Sequence, residues 1–233
     1  SLGLGDTLGK LYGRWDKASD IDWDRLPNQF VLKVNNGCGD ILICRDKDKL
    51  DKATVIDTYD RLVSIKYGDV TGEPHYARIQ PCVIAEELLY INKQSINTSS
   101  LIDYKVWCLN GKPYCIWCAW NRGKEGADTG VYDLDWNYHP EWSVFTEHYR
   151  QGKEILPKPK CFERMLEVAS KLSEEFPILR VDLYEVNEKI YFGELTFTSL
   201  GGFMDYLTSE VLLDMGSKVR INEISEEYAH VKC

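Results

Sequence analysis

Arg180, Asp182, Glu194 and Thr196 lie within one stretch, LRVDLYEVNEKIYFGELTF, whose spacing sets two carboxylates face to face. Strand periodicity of two puts Arg180, Asp182 and Tyr184 on one face and Val181 and Leu183 on the other. With a three-residue loop at 187–189, Val186 pairs with Ile190 and Asp182 falls directly opposite Glu194. In that register Ile190, Phe192, Glu194 and Thr196 share a face. Like charges directly opposite destabilise a sheet. A divalent cation between them removes the repulsion, and oxygen ligands suit Mg2+. Arg180, one pleat away, can hold a phosphate oxygen. The alternative is an exposed hairpin whose charges see only water.

A second group surrounds FVLKVNNGCGDILICRD. Lys33 ends an apolar run beside Asn35, Asn36, Gly37, Gly39 and Asp40. Such a lysine can place its ammonium over phosphate oxygens while the loop N–H groups of Asn36, Gly37 and Gly39 point inward. The G-K-[ST] ending of a Walker A loop is missing, so this is not a P-loop; an ordinary turn is the alternative. Glu86 and Glu87 follow a buried run, where a strand-end carboxylate can accept from sugar hydroxyls while the backbone meets an adenine edge. Lys105 shares a strand face with Asp103 and Trp107. It is either a further phosphate or substrate contact or the charge partner of Asp103.

The elements that must carry these residues follow from periodicity. Strands are expected at Phe30–Val34, at 41–45 and, as the buried run CVIAEELL, at 82–89. A helix within 49–67 has Ile56, Tyr59 and Leu62 or Val63 at helical spacing. DYKVWCLNGKPYCIWCAW reads as a hairpin turning at Asn110-Gly111. The segment 121–156 lacks periodicity and reads as a binding loop or lid. A helix at 161–175 carries Phe162, Met165, Leu166, Ala169 and Leu172 on one face and is ended by Pro177. A short helix is expected near 208–215. Residues 1–26, with four glycines in the first thirteen positions, are too broken for a helix.

The 233 residues are 44% hydrophobic, enough for one large domain or two lobes, and carry a formal charge of -9. With no basic, aromatic-interleaved block, nucleic acid is not expected as a partner. No apolar stretch is long enough to span a bilayer. Eight cysteines without a disulfide rhythm predict a reducing, cytoplasmic setting. Cys115 and Cys118 form a C-x-x-C, but on a strand they face opposite sides and are expected to be structural. The four scattered histidines form no metal motif. The tryptophans of 107–142 serve either as core or as carbohydrate platforms.

Taken in order, Lys33 with its glycine loop, VIAEELL and RVDLY…IYFGELTF resemble the ATP-grasp superfamily. LPNQFVLKVNNGCGD, DYKVWCLNG and FPILRVDLYEVNEKIYFGELTF resemble more closely its TupA-like branch, named for teichuronopeptide biosynthesis and found in bacterial cell-surface polysaccharide gene clusters. The resemblance covers roughly residues 8–205 and implies an α+β ATP-grasp fold, two lobes with antiparallel sheets holding the nucleotide between them. It implies a segment 1–26 that ends a preceding lobe, a small lobe 27–90 with the glycine-rich loop, and a large lobe 91–233 with the metal-binding hairpin. It implies Lys33 on the nucleotide phosphates, Glu86 to Leu89 (Glu87 between them) as the hinge beneath adenine and ribose, and Arg180 near the transferring phosphate. Asp182 and Glu194 match the carboxylates that hold Mg2+. Where the superfamily usually has asparagine as a further metal ligand, this chain has Thr196, a shorter neutral donor.

The implied chemistry is ATP- and Mg2+-dependent ligation of a small-molecule or glycan-linked carboxylate to an amine through an acylphosphate. A kinase acting on a sugar or polysaccharide precursor would use the same apparatus. A glycosyltransferase using Asp133 and Asp135, or a noncatalytic carbohydrate-binding module built on the tryptophans, are the remaining alternatives. Oligomeric state is not readable from the sequence.

Overall fold

The computed structural model describes residues 2–37, 39–68 and 72–221. They form two compact units, one of residues 9–89 with 200–202, the other of residues 2–8, 90–199 and 203–221.

The first unit is a four-stranded antiparallel sheet of β1 (Leu11–Trp15), β2 (Phe30–Val34), β3 (Ile41–Cys44) and β4 (Val83–Glu86), in spatial order β1-β4-β2-β3. Helix α1 (Lys52–Val63) starts where the Asp51 carboxylate accepts from the Thr54 N–H, an N-cap that satisfies one of the orphan donors of the first turn. Its Val55 and Tyr59 pack with Phe30, Leu32, Val83 and Ala85. The glycine-broken start of the chain thus supplies an edge strand, β1, whose partner is β4. The buried run expected over 82–89 is strand only at Val83–Glu86.

The second unit is a six-stranded sheet, order β10-β9-β5-β6-β7-β8. Its strands are β5 (Asp103–Leu109), β6 (Lys112–Gly123), β7 (Gly126–Tyr132), β8 (Tyr149–Gln151), β9 (Ile178–Val186) and β10 (Lys189–Thr196). All pairs are antiparallel except β7 with β8. Helix α2 (Phe162–Ser173) lays Phe162, Met165, Val168 and Ala169 against Val106, Ile116, Val181 and Leu183 on one face. The opposite face carries Trp107, Cys115 and Trp117 with Val211 and Met215 of α3 (Ser209–Lys218).

Three sequence expectations need correction here. The segment 121–156 is not an unstructured lid: it contains the end of β6, all of β7 and all of β8. Its glycines obscure the alternation, and Gly126 sits so close to the His148 carbonyl that a Cβ would be 2.1 Å from its oxygen. The β9–β10 turn has two residues rather than three: Asn187 and Glu188 take φ of 55° and 57°, and Val186 pairs with Lys189. Such a turn alone would set Asp182 opposite Gly193. A β-bulge between Phe192 and Glu194 adds one residue and restores the Asp182–Glu194 pairing. The bulge also flips the alternation. Ile190, Phe192 and Leu195 pack toward α2, while Glu194 lies opposite Asp182 on the other face, so the expected common face of Ile190, Phe192, Glu194 and Thr196 does not exist. Among the described residues no helix is long and apolar enough to cross a membrane.

Candidate active site

Three rows of side chains cross the second sheet on the face opposite α2. Register places Thr196, Arg180 and Trp107 in one row and Glu194, Asp182 and Lys105 in the next, and extending it by one residue puts Tyr184 and Asp103 in the third. Period two brings these residues to one face, and antiparallel pairing sets them side by side.

Asp182 is the centre and is 1% exposed. Its Oδ1 accepts from Arg180 Nε at 2.7 Å, and its Oδ2 accepts from Arg180 Nη2 at 2.8 Å and from Lys105 Nζ. Lys105 also reaches Asp103 Oδ2 at 2.8 Å, which takes a further hydrogen bond from Arg122 Nη2 at 3.0 Å. Arg180 continues through Nη2 to Glu194 Oε1 at 3.0 Å and through Nη1 to Ser199 Oγ at 3.1 Å and the Tyr206 hydroxyl at 3.4 Å. Its guanidinium lies 6.0 Å from the Trp107 ring centroid. Glu194 differs from Asp182, since half of its side chain is exposed, and the Thr196 hydroxyl donates to its Oε1 at 3.2 Å.

The two opposed carboxylates have divergent acidities. Burial pushes Asp182 up, but Lys105 and Arg180 together outweigh it and hold the carboxyl below its usual range. Burial and the neighbouring Asp182 charge both push Glu194 up. For Lys105, burial opposes the charged form and Asp182 and Asp103 outweigh it, so the ammonium is held charged.

In the first unit, Lys33 Nζ meets Glu86 Oε2 at 2.6 Å. Val31 pairs with Glu86 and Lys33 with Ile84, which puts both charges on one sheet face with Ile41 and Ile43, opposite Lys33 and Val31 on β3. Ile41 and Ile43 are 57% and 52% exposed, so the ion pair sits beside an exposed apolar strip.

The two asparagines of the glycine loop are used on backbone. Asn35 accepts from Cys82 N at 2.8 Å and donates to Gln80 O at 3.0 Å; Asn36 donates to Val63 O and Ile65 O. The Tyr59 hydroxyl donates to Leu32 O at 2.8 Å and reaches Asp40 O at 3.3 Å, tying strand and loop to α1. Gly39 takes φ of +88°, a left-handed conformation that favours glycine, and a Cβ on Gly37 would touch the Tyr67 ring at 3.4 Å. Cys38 lies outside the described residues. The Glu87 N–H donates to Lys10 O at 2.9 Å, and Leu89 is half-buried beyond the end of β4.

Cys115 and Cys118 do face opposite sides, Cys115 in the cluster under α3 and Cys118 in the cluster under α2. Burial pushes both thiols up, away from nucleophilic chemistry. Trp107, Trp117 and Trp120 are core. Asp133 is occupied as a turn former, accepting from the N–H groups of Asp135 and Asn137. Sequence reasoning named Asp103 only as a charge partner and missed Arg122, Ser199 and Tyr206. Asp103 was accessible through its two-residue spacing from Lys105. The others arrive from a strand end and a loop, with no local signal.

Asp182 and the directly opposed Glu194, with the Thr196 hydroxyl one row away and bonded to Glu194, are hard oxygen donors, and this donor chemistry fits Mg2+. Among the described residues, no three acidic, histidine or cysteine side chains gather as a ready metal cluster. Three N–H contacts fill three of the roughly four acceptor positions of the Asp182 carboxylate, so a cation there either shares it with Arg180 and Lys105 or displaces one of them.

No curated protein matches the chain. Among solved structures it is similar to D-alanine–D-alanine ligase from Bacillus anthracis, with 16% identity, coverage of 96% of this chain and 64% of that chain, and a TM-score of 0.51. It is also similar to that ligase complexed with ATP (15% identity, 82% and 50% coverage, TM-score 0.48). A third is the ATP-grasp ligase PsnB complexed with a minimal precursor (10% identity, 93% and 56% coverage, TM-score 0.42). The chain therefore spans about half to two thirds of the length of these proteins, and at such identities the likeness is one of fold. A family model for TupA-like ATP-grasp proteins matches residues 9–220. With nearly the whole chain inside that match, and an α+β architecture to go with it, this protein belongs to the TupA-like ATP-grasp family.

Proposed function

We propose that the chain supplies the nucleotide- and Mg2+-handling part of an ATP-dependent carboxylate–amine ligase, acting in the cytoplasm on precursors of cell-surface polysaccharide or teichuronopeptide. The observation that carries this reading is the buried Arg180–Asp182–Lys105 cluster with Glu194 directly opposite, in a chain of this family. Cations and carboxylates held this way, away from bulk water, suit transfer of a phosphoryl group better than nucleophilic catalysis by a side chain.

In the proposed reaction, an oxygen of the substrate carboxylate attacks the γ-phosphorus of ATP, the bond to the β–γ bridging oxygen breaks, and ADP leaves. The resulting acylphosphate is attacked by the amine, which loses a proton as phosphate departs and the amide forms. Lys33 is assigned to phosphate oxygens, with Glu86 holding its ammonium until nucleotide arrives. The strip of Ile41 and Ile43 offers an apolar bed for the base, and Glu86, Glu87 and the backbone to Leu89 form its hinge. Asn36, Gly37 and Gly39 present loop N–H groups. Arg180 and Lys105 neutralise oxygens of the transferring group, and Glu194, Asp182 and Thr196 are the Mg2+ ligands. Bound Mg2+ would supply charge neutralisation of the polyphosphate.

Calorimetric titration with a non-hydrolysable ATP analogue, with and without Mg2+, tests the reading. Mg2+-dependent binding that disappears in E194Q and in K33M, together with amine-dependent ADP release from carboxylate acceptors, is the expected result. Analogue binding indifferent to both variants refutes it, and a stable phosphoester product would replace ligase by kinase.

A further inference from the structure

Lys105 is shared by two buried carboxylates, and only one of them belongs to the proposed metal site. Asp103 is 5% exposed and stands at the start of β5, two residues from Lys105 and so one row from the Lys105–Asp182 pair. Its Oδ2 holds Lys105 at 2.8 Å and Arg122 at 3.0 Å, while its Oδ1 is buried with no hydrogen-bond partner among the described residues. An unpartnered oxygen on a buried carboxylate is costly, and its retention beside a lysine with three N–H groups calls for an explanation.

We propose that Asp103 is the reserve counter-ion of Lys105, a positioning residue that lets Asp182 pass from lysine to metal without leaving a buried ammonium unpaired. The inference rests on the ligase reading above for the metal site itself. In the structure Asp182 is held by Lys105 and Arg180. When a divalent cation takes Asp182, Arg180 still has Ser199, Tyr206 and, shared with the cation, Glu194 within reach. Among the described residues, Asp103 is then the one ion-pair partner left to Lys105. A buried ammonium without a counter-charge is strongly unfavourable, so without Asp103 the lysine would compete with the metal for Asp182. The unpartnered Oδ1 provides a second acceptor for the N–H that Asp182 releases, and Arg122, half exposed at the end of β6, keeps the Asp103 carboxylate oriented toward Lys105.

The test is the ratio of the dissociation constants of a non-hydrolysable ATP analogue without and with Mn2+, measured by calorimetry on the full chain. D103N is expected to lower that ratio at least about tenfold, in the range for groups that orient metal ligands, while metal-free affinity stays within about twofold. In a K105M background the same D103N change is expected to have no effect, because the competing ammonium is gone. R122Q, altering a partly exposed side chain, is expected to lower the ratio in the same direction and covers the case in which D103N does not fold. An unchanged ratio in D103N or, if D103N does not fold, in R122Q overturns the proposal, as does a D103N effect that persists in K105M. If the wild-type ratio is itself one, the ligase reading falls and this inference with it. If the wild-type ratio is high and E194Q abolishes it but D103N does not, only the inference falls.

Discussion

Asp182 and Glu194 face each other across one pair of strands, yet they are expected to contribute to stability in opposite ways. Replacing Asp182 by Asn keeps the volume and removes the charge from a site that is 1% exposed. Two buried cations lose their shared partner. Removing one member of a buried ion pair costs about 3–5 kcal/mol. Lys105 retains Asp103 and Arg180 retains Glu194, so the lower end, about 3 kcal/mol, is expected. For a protein of this size that corresponds to a fall in Tm of roughly 6–12 °C. Replacing Glu194 by Gln removes a charge that burial and Asp182 both disfavour, at the expense of a half-exposed contact to Arg180. The two effects oppose each other, and E194Q is expected to lie within about 1 kcal/mol of wild type.

The pH dependence separates the two carboxylates further. The folded-state acidity of Asp182 is strengthened, so its contribution is present above the unfolded pKa of about 3.9 and is lost as pH falls through the lower folded value. The gap between D182N and wild type should close in acid. Glu194 is displaced the other way, so the stability it contributes is present below about 4.3 and lost as pH rises through the folded value. Any advantage of E194Q should therefore appear only toward neutral pH. Thermal unfolding followed by tryptophan fluorescence reports both, since Trp107 and Trp117 lie on this same face beside the charged rows. A D182N protein that melts with wild type at pH 7 would refute the argument that the cluster is a buried, mutually compensated charge system.

Tyr59→Phe removes the hydroxyl that donates to Leu32 O and reaches Asp40 O, and is expected to cost about 1 kcal/mol and to speed hydrogen exchange through the glycine loop; protection unchanged at residues 39–41 would show that α1 does not tether the loop. His139 sits between Glu141 at 2.7 Å and Asp133 at 3.2 Å, and although burial lowers its basicity the two carboxylates prevail and raise it. Its NMR titration midpoint is expected above about 6.5 and to fall in D133N, with its stabilising contribution present below about pH 6.5 and lost as pH rises through the folded value. A midpoint that D133N leaves in place would contradict this.

Much of the molecule is readable from local pattern. Phe30–Val34, the Asn110-Gly111 hairpin and the amphipathic helix Phe162–Ser173 follow from periodicity and turn chemistry that neighbouring residues fix among themselves. The opposition of Asp182 and Glu194 was also expected, although through a different local geometry, because the two-residue turn and the bulge at Phe192/Glu194 together shift the register as a three-residue loop would. Side-chain alternation by itself cannot reveal a bulge, so the face assigned to Phe192 was wrong while the pairing of Glu194 was right. Residues 121–156 illustrate the limit more fully. Their strands are held by partners distant in the chain, as when His148 O accepts from Ala127 N, and no period of two survives their glycines and aromatics.

The sequence by itself determined which residues carry the charge and, through strand periodicity, that Arg180 and Asp182 share a face, as do Asp103 and Lys105. Only the tertiary structure decided that β5 lies beside β9, placing Lys105 against Asp182 and making one compensated cluster of two separate pairs. Strand order within a sheet depends on contacts between segments some eighty residues apart, here Lys105 and Asp182, and local periodicity contains no term for it.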